Sequence, residues 1–323
     1  FFVAQPEEGV RLRAALGEGP AIWVLQGYPV GVGEAPPVQA RRRPPPAHPD
    51  GGGLARAAPG SPEAEARLFA EAGLGPVLSA PEQVAAWVAA GQGAAPAALQ
   101  LDSGMNRLGL EASELAELGA VPEGVCLVMS HLACADEPGH PLNAAQLAEF
   151  RRMADGLGLP RSLAATGGTL LGPDFHLEMV RPGVGLYGGL PFADAARVVT
   201  LEIPILQVRD LAPGEAVGYG ASWRAARPSR IATLSAGYAD GLHRLLSNRA
   251  RAFVGGVACP FAGRVSMDLI GLDVTDAPEA QPGGMAELLG PNQTVDELAA
   301  AAETIGYEVL TALGERYDRR YLS

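Results

Sequence analysis

Two tyrosines in the stretch 217–241 stand between glycines, Tyr219 in Gly218-Tyr219-Gly220 and Tyr238 in Gly237-Tyr238-Ala239-Asp240-Gly241. Glycine beside an aromatic lets backbone approach closely and take positive φ, so a phenol can be aimed where a bulkier neighbour would not fit. The same pattern also suits strand-end aromatics in tight turns. Four further stretches put polar residues at the ends of apolar runs. In LDSGMNRLGL, Asp102-Ser103-Gly104 end a strand and Arg107 lies just beyond, where its planar fork can grip a carboxylate or join a structural ion pair. His131 ends VCLVMSH, a place for an imidazole that stacks on a ring, holds another side chain, or is a hydrogen-bonded core histidine. Thr166-Gly167-Gly168 ends SLAAT and offers a hydroxyl and amides, to a phosphate or to an ordinary turn. Arg181-Pro182-Gly183-Val184 sets a guanidinium beside backbone that can approach an anion, or is an ordinary surface arginine.

Other chemistry is excluded. All 24 residues counted as Lys+Arg are arginines, so neither a lysine base nor a GxxxxGK phosphate loop is possible among the residues given. There is no GxSxG elbow. The five histidines, His48, His131, His140, His176 and His243, show no metal-ligand spacing, so no metal is expected. Residues 183–188 match GxGxxG but follow an Arg-Pro pair and open no amphipathic helix, which argues against a dinucleotide site. A net charge of −12 argues against nucleic acid or an anionic membrane as the main partner. Three widely spaced cysteines form neither a disulfide framework nor a zinc pattern, and fit a reducing cytoplasm. No apolar run is long enough to span a membrane, and the N-terminus lacks the layout of a signal peptide.

These residues need a frame. Over 1–194, short apolar runs alternate with helical patterns: FFVA, AIWVLQG, GPVLSA, AALQL, VCLVMSH, SLAAT and VGLYGG read as seven strands. Helices are expected over 7–16, 63–72 and 143–157, and in PEQVAAWVAA and EASELAELGA. The alternation implies a parallel sheet, and one more βα unit upstream would complete a (β/α)8-type barrel with its chemistry at the C-terminal strand ends. An open doubly wound sheet is the structural alternative. Residues 33–62, rich in proline, glycine and arginine, read as an irregular insertion with His48 in solvent. Over 195–323 the texture changes to strand-like runs with glycine turns, a C-terminal, mostly antiparallel β-domain, with a helix from Thr294 to about Ala302.

Taken together, LDSGMNRLG, SHLACADE, RPGVGLYGG, VGYGASW, AGYADG, GRVSMDLIGLDVTD and TIGYE resemble, in order, the alanine racemases, pyridoxal 5'-phosphate enzymes of fold type III. The resemblance spans the chain outside 33–62. It implies that Tyr219 moves a proton on one face of the cofactor-bound substrate, acting in the active site of the partner subunit. It implies that Arg181 bonds the pyridine nitrogen, that His131 lies beside the ring, and that Thr166, the amides of Gly183 and Val184, and Tyr307 hold the phosphate. Arg107 would orient the substrate carboxylate and the tyrosine, with Met267 and Tyr238 contributed across a homodimer. Racemisation removes a proton from Cα and returns one to the other face, so two acid–base groups must flank the carbon. A phenol titrates near ~10 unless cations lie close, and His131 and Arg107 are expected to supply them.

The sequence departs from the family in three places. The family's Schiff-base lysine, its second base, would precede Phe1 on the first barrel strand; the chain opens in what reads as mid-strand, so residues upstream are expected, and the residues given are expected to be inactive as a racemase. Gln100 stands where many members carry a carbamylated lysine that steadies Arg107, and Ala165 replaces a common asparagine. The expected function is interconversion of L- and D-alanine for peptidoglycan. The alternatives are a broader amino-acid racemase and a non-catalytic cofactor-binding or dimerisation paralogue.

Overall fold

In the computed structural model, which describes residues 1–30, 62–91 and 95–322, strand and helix alternate through the first compact unit, Phe1–Arg181. Its elements are β1 (Phe2–Val3), α1 (Pro6–Leu16), β2 (Trp23–Val24), α2 (Pro62–Glu71), β3 (Gly75–Leu78) and α3 (Pro81–Ala89), followed by β4 (Ala97–Gln100), α4 (Ala112–Glu117), β5 (Val125–Met129), α5 (Pro141–Ala154), β6 (Arg161–Ser162) and α6 (Thr166–Leu170). Proline opens α1, α3 and α5 after a residue in extended backbone, where its missing N–H costs nothing. The six strands pair in parallel in chain order.

Both faces of this sheet are covered, as parallel sheets require. On one face Leu78, Leu99, Val128 and Leu163 pack with Phe69, Trp87 and Phe150 from the helices. On the other, Trp23, Val77, Ala98, Leu127 and Met129 meet one another, with Phe2 and Met179 against them. The packing at β3 is close enough to demand glycine: a Cβ on Gly75 would lie 2.5 Å from the Pro96 carbonyl oxygen and 2.8 Å from the Trp23 ring.

The barrel-type parallel architecture agrees with the sequence reading, but the seventh expected strand, VGLYGG, is not one. Val184–Tyr187 is a 3-10 turn ended by Gly188 at φ 84°. The stretch just before it runs along β6 instead, with Met179 N–H donating to the Arg161 carbonyl (3.2 Å) and Arg181 N–H to that of Ala164 (2.8 Å). The glycines at 183, 185, 188 and 189 give the later stretch little to pack on a pleated face. Of the irregular insertion expected over 33–62, all but Pro62, which opens α2, lies outside the described residues, as does His48.

The second unit, Pro182–Ser323, contains β7 (Leu201–Leu211), β8 (Ala216–Val217), β9 (Trp223–Arg224), β10 (Ser229–Leu234), β11 (Arg251–Val254), β12 (Val257–Pro260), β13 (Ile270–Asp273) and β14 (Met285–Leu289), then α7 (Val295–Ala301) and α8 (Gly306–Ala312). Six of the strands form an antiparallel sheet in the order β12-β11-β14-β7-β10-β13. A bridge from Phe261 to Leu272 brings the end of β12 back to β13 and nearly closes the sheet. Strand β14 escaped the sequence reading because MAELL, with alanine and glutamate, carries little β-propensity; its place between β7 and β11 decides its state. Helix α7 begins where expected, on a reciprocal cap: Thr294 Oγ1 accepts from the Glu297 N–H (3.1 Å) and the Glu297 carboxylate from the Thr294 N–H (2.8 Å). Thr294→Ala is expected to cost about 1 kcal/mol, read as a lower urea midpoint with an unchanged denaturant slope.

Candidate active site

The polar groups of the first unit gather where β4, β5 and β6 end. Arg181 follows the segment bonded to β6, and its guanidinium returns over the ends of β5 and β6. One terminal nitrogen donates to Ser162 Oγ (2.5 Å); the other donates to the Ser130 carbonyl (2.7 Å), with His131 Nδ1 at 3.3 Å and the Leu163 carbonyl at 3.4 Å. Ser162 Oγ passes its own proton to the Met179 carbonyl (2.7 Å). The Phe2 ring lies 5.8 Å from the guanidinium carbon. Burial lowers the Arg181 pKa to about 10, which leaves it charged at neutral pH. Its Nε–H makes no hydrogen bond among the described residues.

Because arginine only donates, His131 Nδ1 must accept, which places the proton of the neutral ring on Nε2. Burial and then the charges of Arg181 and Arg107 hold the imidazole near pKa 4. His131 is therefore neutral at pH 7, which corrects the expectation that it supplies a cation to a phenol: burial first, and then the charges of Arg181 and Arg107, disfavour the imidazolium.

Arg107 lies in a loop organised by Asp102, one of whose carboxylate oxygens accepts from the N–H groups of Gly104 (2.8 Å), Met105 (2.9 Å) and Asn106 (3.1 Å). Leu110 N–H donates to the Gln100 carbonyl (2.8 Å) and Asp102 N–H to that of Leu110 (3.0 Å), so the loop returns onto its own strand. Gly109 makes this closure possible, at φ 127° and with a Cβ position 2.5 Å from Asp102 N. The Arg107 side chain is exposed and makes no hydrogen bond or ion pair among the described residues. Gln100 Nε2 donates to the carbonyl of Leu108, the residue after Arg107 (3.1 Å).

Thr166 is buried at the start of α6, whose cap residue Ala165 has no side chain to offer the first amides. Gly168 packs so closely that a Cβ would lie 2.9 Å from that of Ala164 and 3.0 Å from Leu132. In the second unit Gly183 and Val184 open the 3-10 turn. Tyr307 is in the first turn of α8, with its ring partly exposed.

Tyr219 tops the ribbon of β8 and β9 and is 72% exposed. Gly218 and Gly220 beside it take φ 69° and 70°, and a Cβ on Gly220 would lie 3.0 Å from the Arg264 guanidinium. Tyr238 and Met267 are brought together through backbone. Tyr238 N–H donates to the Ser266 carbonyl and Ala239 N–H to that of Met267, both at 3.0 Å. A Cβ on Gly237 would lie 2.3 Å from the Ser266 carbonyl oxygen, which explains the glycine before this tyrosine.

With this geometry described, comparison with known proteins is decisive. Residues 54–191 match the alanine racemase N-terminal domain and residues 198–321 the alanine racemase C-terminal domain. The chain belongs to the alanine racemase family. It is 52% identical to alanine racemase of Dinoroseobacter shibae over 99% of this chain and 82% of that protein, and 49% identical to that of Ruegeria sp. over 99% and 84%. Among solved structures, alanine racemase from Bartonella henselae with covalently bound pyridoxal phosphate superposes with a TM-score of 0.81 at 34% identity, covering 100% of this chain and 84% of that one. Biosynthetic alanine racemase from Pseudomonas aeruginosa gives 0.80 at 36%, covering 100% and 85%. No described helix is long and apolar enough to cross a membrane.

Sequence reading passed over Ser130 and Ser162, which accept from Arg181, Gln146, which bonds backbone just past β5, and Arg264, whose guanidinium lies beside Gly220. Ser130 and Ser162 stand at strand ends, a signal that could have drawn attention, but a serine there is usual in any turn. Gln146 and Arg264 carry no sequence signal, because an amide in a helix and an arginine in a loop are ordinary on a surface.

The depressed His131 pKa sets a pH dependence. Between about pH 6.5 and 4 the unfolded chain binds a proton at this residue that the folded chain refuses, so its contribution to stability is complete above 6.5 and is lost as pH falls towards 4. His131→Gln is expected to flatten the fall of the urea midpoint over that interval relative to the unsubstituted protein.

Proposed function

We propose that the protein interconverts L- and D-alanine with pyridoxal 5'-phosphate, supplying D-alanine for peptidoglycan, as a cytoplasmic homodimer with shared active sites. The observation that carries this reading is Arg181: its two terminal nitrogens are engaged by the strand ends while Nε–H has no protein acceptor among the described residues. A planar donor held in this way, with a neutral imidazole beside it, suits an aromatic ring nitrogen. The covalently bound cofactor of the Bartonella henselae protein supports the same reading.

Pyridoxal phosphate, when bound, draws electrons from the substrate Cα so that its proton can leave and return. Arg181, itself protonated at neutral pH, would hold the ring nitrogen with its Nε–H, and a donor that keeps its own proton would leave that nitrogen without a full one, restraining electron withdrawal and discouraging transamination. His131, neutral, lies beside the ring without adding charge. Thr166, the amides of Gly183 and Val184, and Tyr307 hold the phosphate. Arg107 binds the substrate carboxylate and, with His131 neutral, is the cation assigned to stabilise a phenolate. Tyr219 carries the proton on one face of Cα, acting in the partner copy's site, where Tyr238 and Met267 limit the room around the substrate methyl.

These 323 residues contain no lysine, so on this reading they supply the phenol and the cofactor cradle but not the amine for the opposite face. Supplied with pyridoxal phosphate, the 323-residue chain is expected to retain it without covalent attachment, so that denaturation after borohydride treatment releases all of it. In a longer chain carrying the family's lysine ahead of Phe1, Tyr219→Phe is expected to lower kcat in both directions by roughly 10²- to 10⁴-fold while leaving cofactor affinity unchanged. Interconversion of the enantiomers, followed by circular dichroism from either side, reads the loss; activity within a few-fold of the parent would show that the phenol is not the proton carrier.

A further inference from the structure

We infer that Gln146 is a positioning residue for His131: its side-chain amide continues the hydrogen bonding of β5 past the end of the sheet and thereby fixes the imidazole against Arg181. This rests on the reading that His131 and Arg181 line the cofactor site. Beyond β5 the backbone keeps one more sheet bond, from Ser130 N–H to the Ser162 carbonyl (3.0 Å). The Gln146 carboxamide then takes over, with Oε1 accepting from Ala133 N–H (2.8 Å) and Nε2 donating to the His131 carbonyl (3.0 Å). A C=O at one residue and an N–H two residues on point the same way in extended chain, so a single amide can replace the missing neighbouring strand.

The cost of this arrangement indicates its purpose. Gln146 is 0% exposed and lies on the buried face of α5 with Leu147 and Phe150, where an apolar residue would pack without any polar debt. Helix α5 is itself held on the same loop, since Asn143 Nδ2 donates to the Glu137 carbonyl (3.0 Å) and His140 Nδ1 caps the Leu142 N–H (3.2 Å). The Gln146 side chain also reaches the loop that carries Arg107, its Cγ lying 3.7 Å from where a Gly104 Cβ would be. The Gln146 side chain thus bonds the loop of His131 and lies beside the loop of Arg107.

The test compares Gln146→Leu, which removes both hydrogen bonds at similar volume, with Gln146→Glu, which keeps the acceptor and removes the donor. In protein with ¹⁵N-labelled histidine and no added cofactor, the parent is expected to show His131 as the Nε2–H tautomer, still neutral at pH 5. Both variants are expected to show mixed tautomers and a His131 titration moved towards the ordinary histidine value of ~6.5. In the longer, lysine-bearing chain kcat is expected to fall on the order of 10- to 100-fold, as for a misplaced site group, with KM much less affected. If the variants lose stability while the His131 tautomer and titration stay as in the parent, Gln146 only fills space and the inference fails. Should Gln146→Leu not fold, Gln146→Glu alone decides by the same spectra. Because the spectra need no turnover, a longer, lysine-bearing parent that does not racemise alanine would sink the activity reading and leave this test standing.

Discussion

The first unit depends on satisfying one charged group at the end of a parallel sheet. Removing a guanidinium from water is costly unless its N–H groups find partners. Arg181 finds them in two carbonyls, a serine hydroxyl and an imidazole nitrogen, with no carboxylate among them. The choice matters because a carboxylate would neutralise the cation, whereas carbonyls and a hydroxyl satisfy the donors and leave the charge in place. His131 is neutral first because it is itself buried, and then because an imidazolium beside a poorly solvated arginine would be repelled.

The fold makes such a cluster possible because its strands end together. Parallel strands in chain order send every loop after a strand to one end of the sheet, so Asp102, Ser130, His131 and Thr166, distant in sequence, become neighbours of one surface. The ends are also stitched laterally, since Ser103 Oγ and Ser130 Oγ share a buried hydrogen bond of 2.8 Å. The loop after β4 is rigid for a separate reason: three consecutive amides converge on Asp102, which leaves the nearby Arg107 side chain exposed on a fixed base.

In the second unit the constraint is steric. Gly218, Gly220, Gly237 and Gly241 flank the two tyrosines, and the backbone approaches them too closely, or turns too far, for a Cβ; at Gly241 it would lie 2.0 Å from the Ala312 carbonyl oxygen. The phenol of Tyr219 consequently stands clear of its own unit on a narrow ribbon. Asp240 anchors the second tyrosine's turn by accepting from Gly237 N–H (2.8 Å) and by pairing with Arg316 (3.3 Å).

Much of this was legible in the sequence. Apolar runs separated by amphipathic helices named the parallel unit, and glycine-punctuated strands named the antiparallel one, because hydrophobic periodicity records which faces are covered. The glycines around Tyr219 and Tyr238 were informative because only backbone geometry demands them. The tertiary structure decided what depends on the identity of neighbours. VGLYGG ends a run of apolar stretches yet turns, because its glycines offer little to pack on a sheet and the preceding residues already hold the place beside β6. MAELL reads as nothing in particular and becomes a central strand because β7 and β11 flank it. The charge of His131 was likewise beyond the sequence, which shows a histidine near two arginines without showing how deeply it is buried. Gln146 marks the limit most clearly: hydrogen bonds between a helix side chain and a strand-end backbone leave no period and no motif, since they arise only when two elements distant along the chain are packed together.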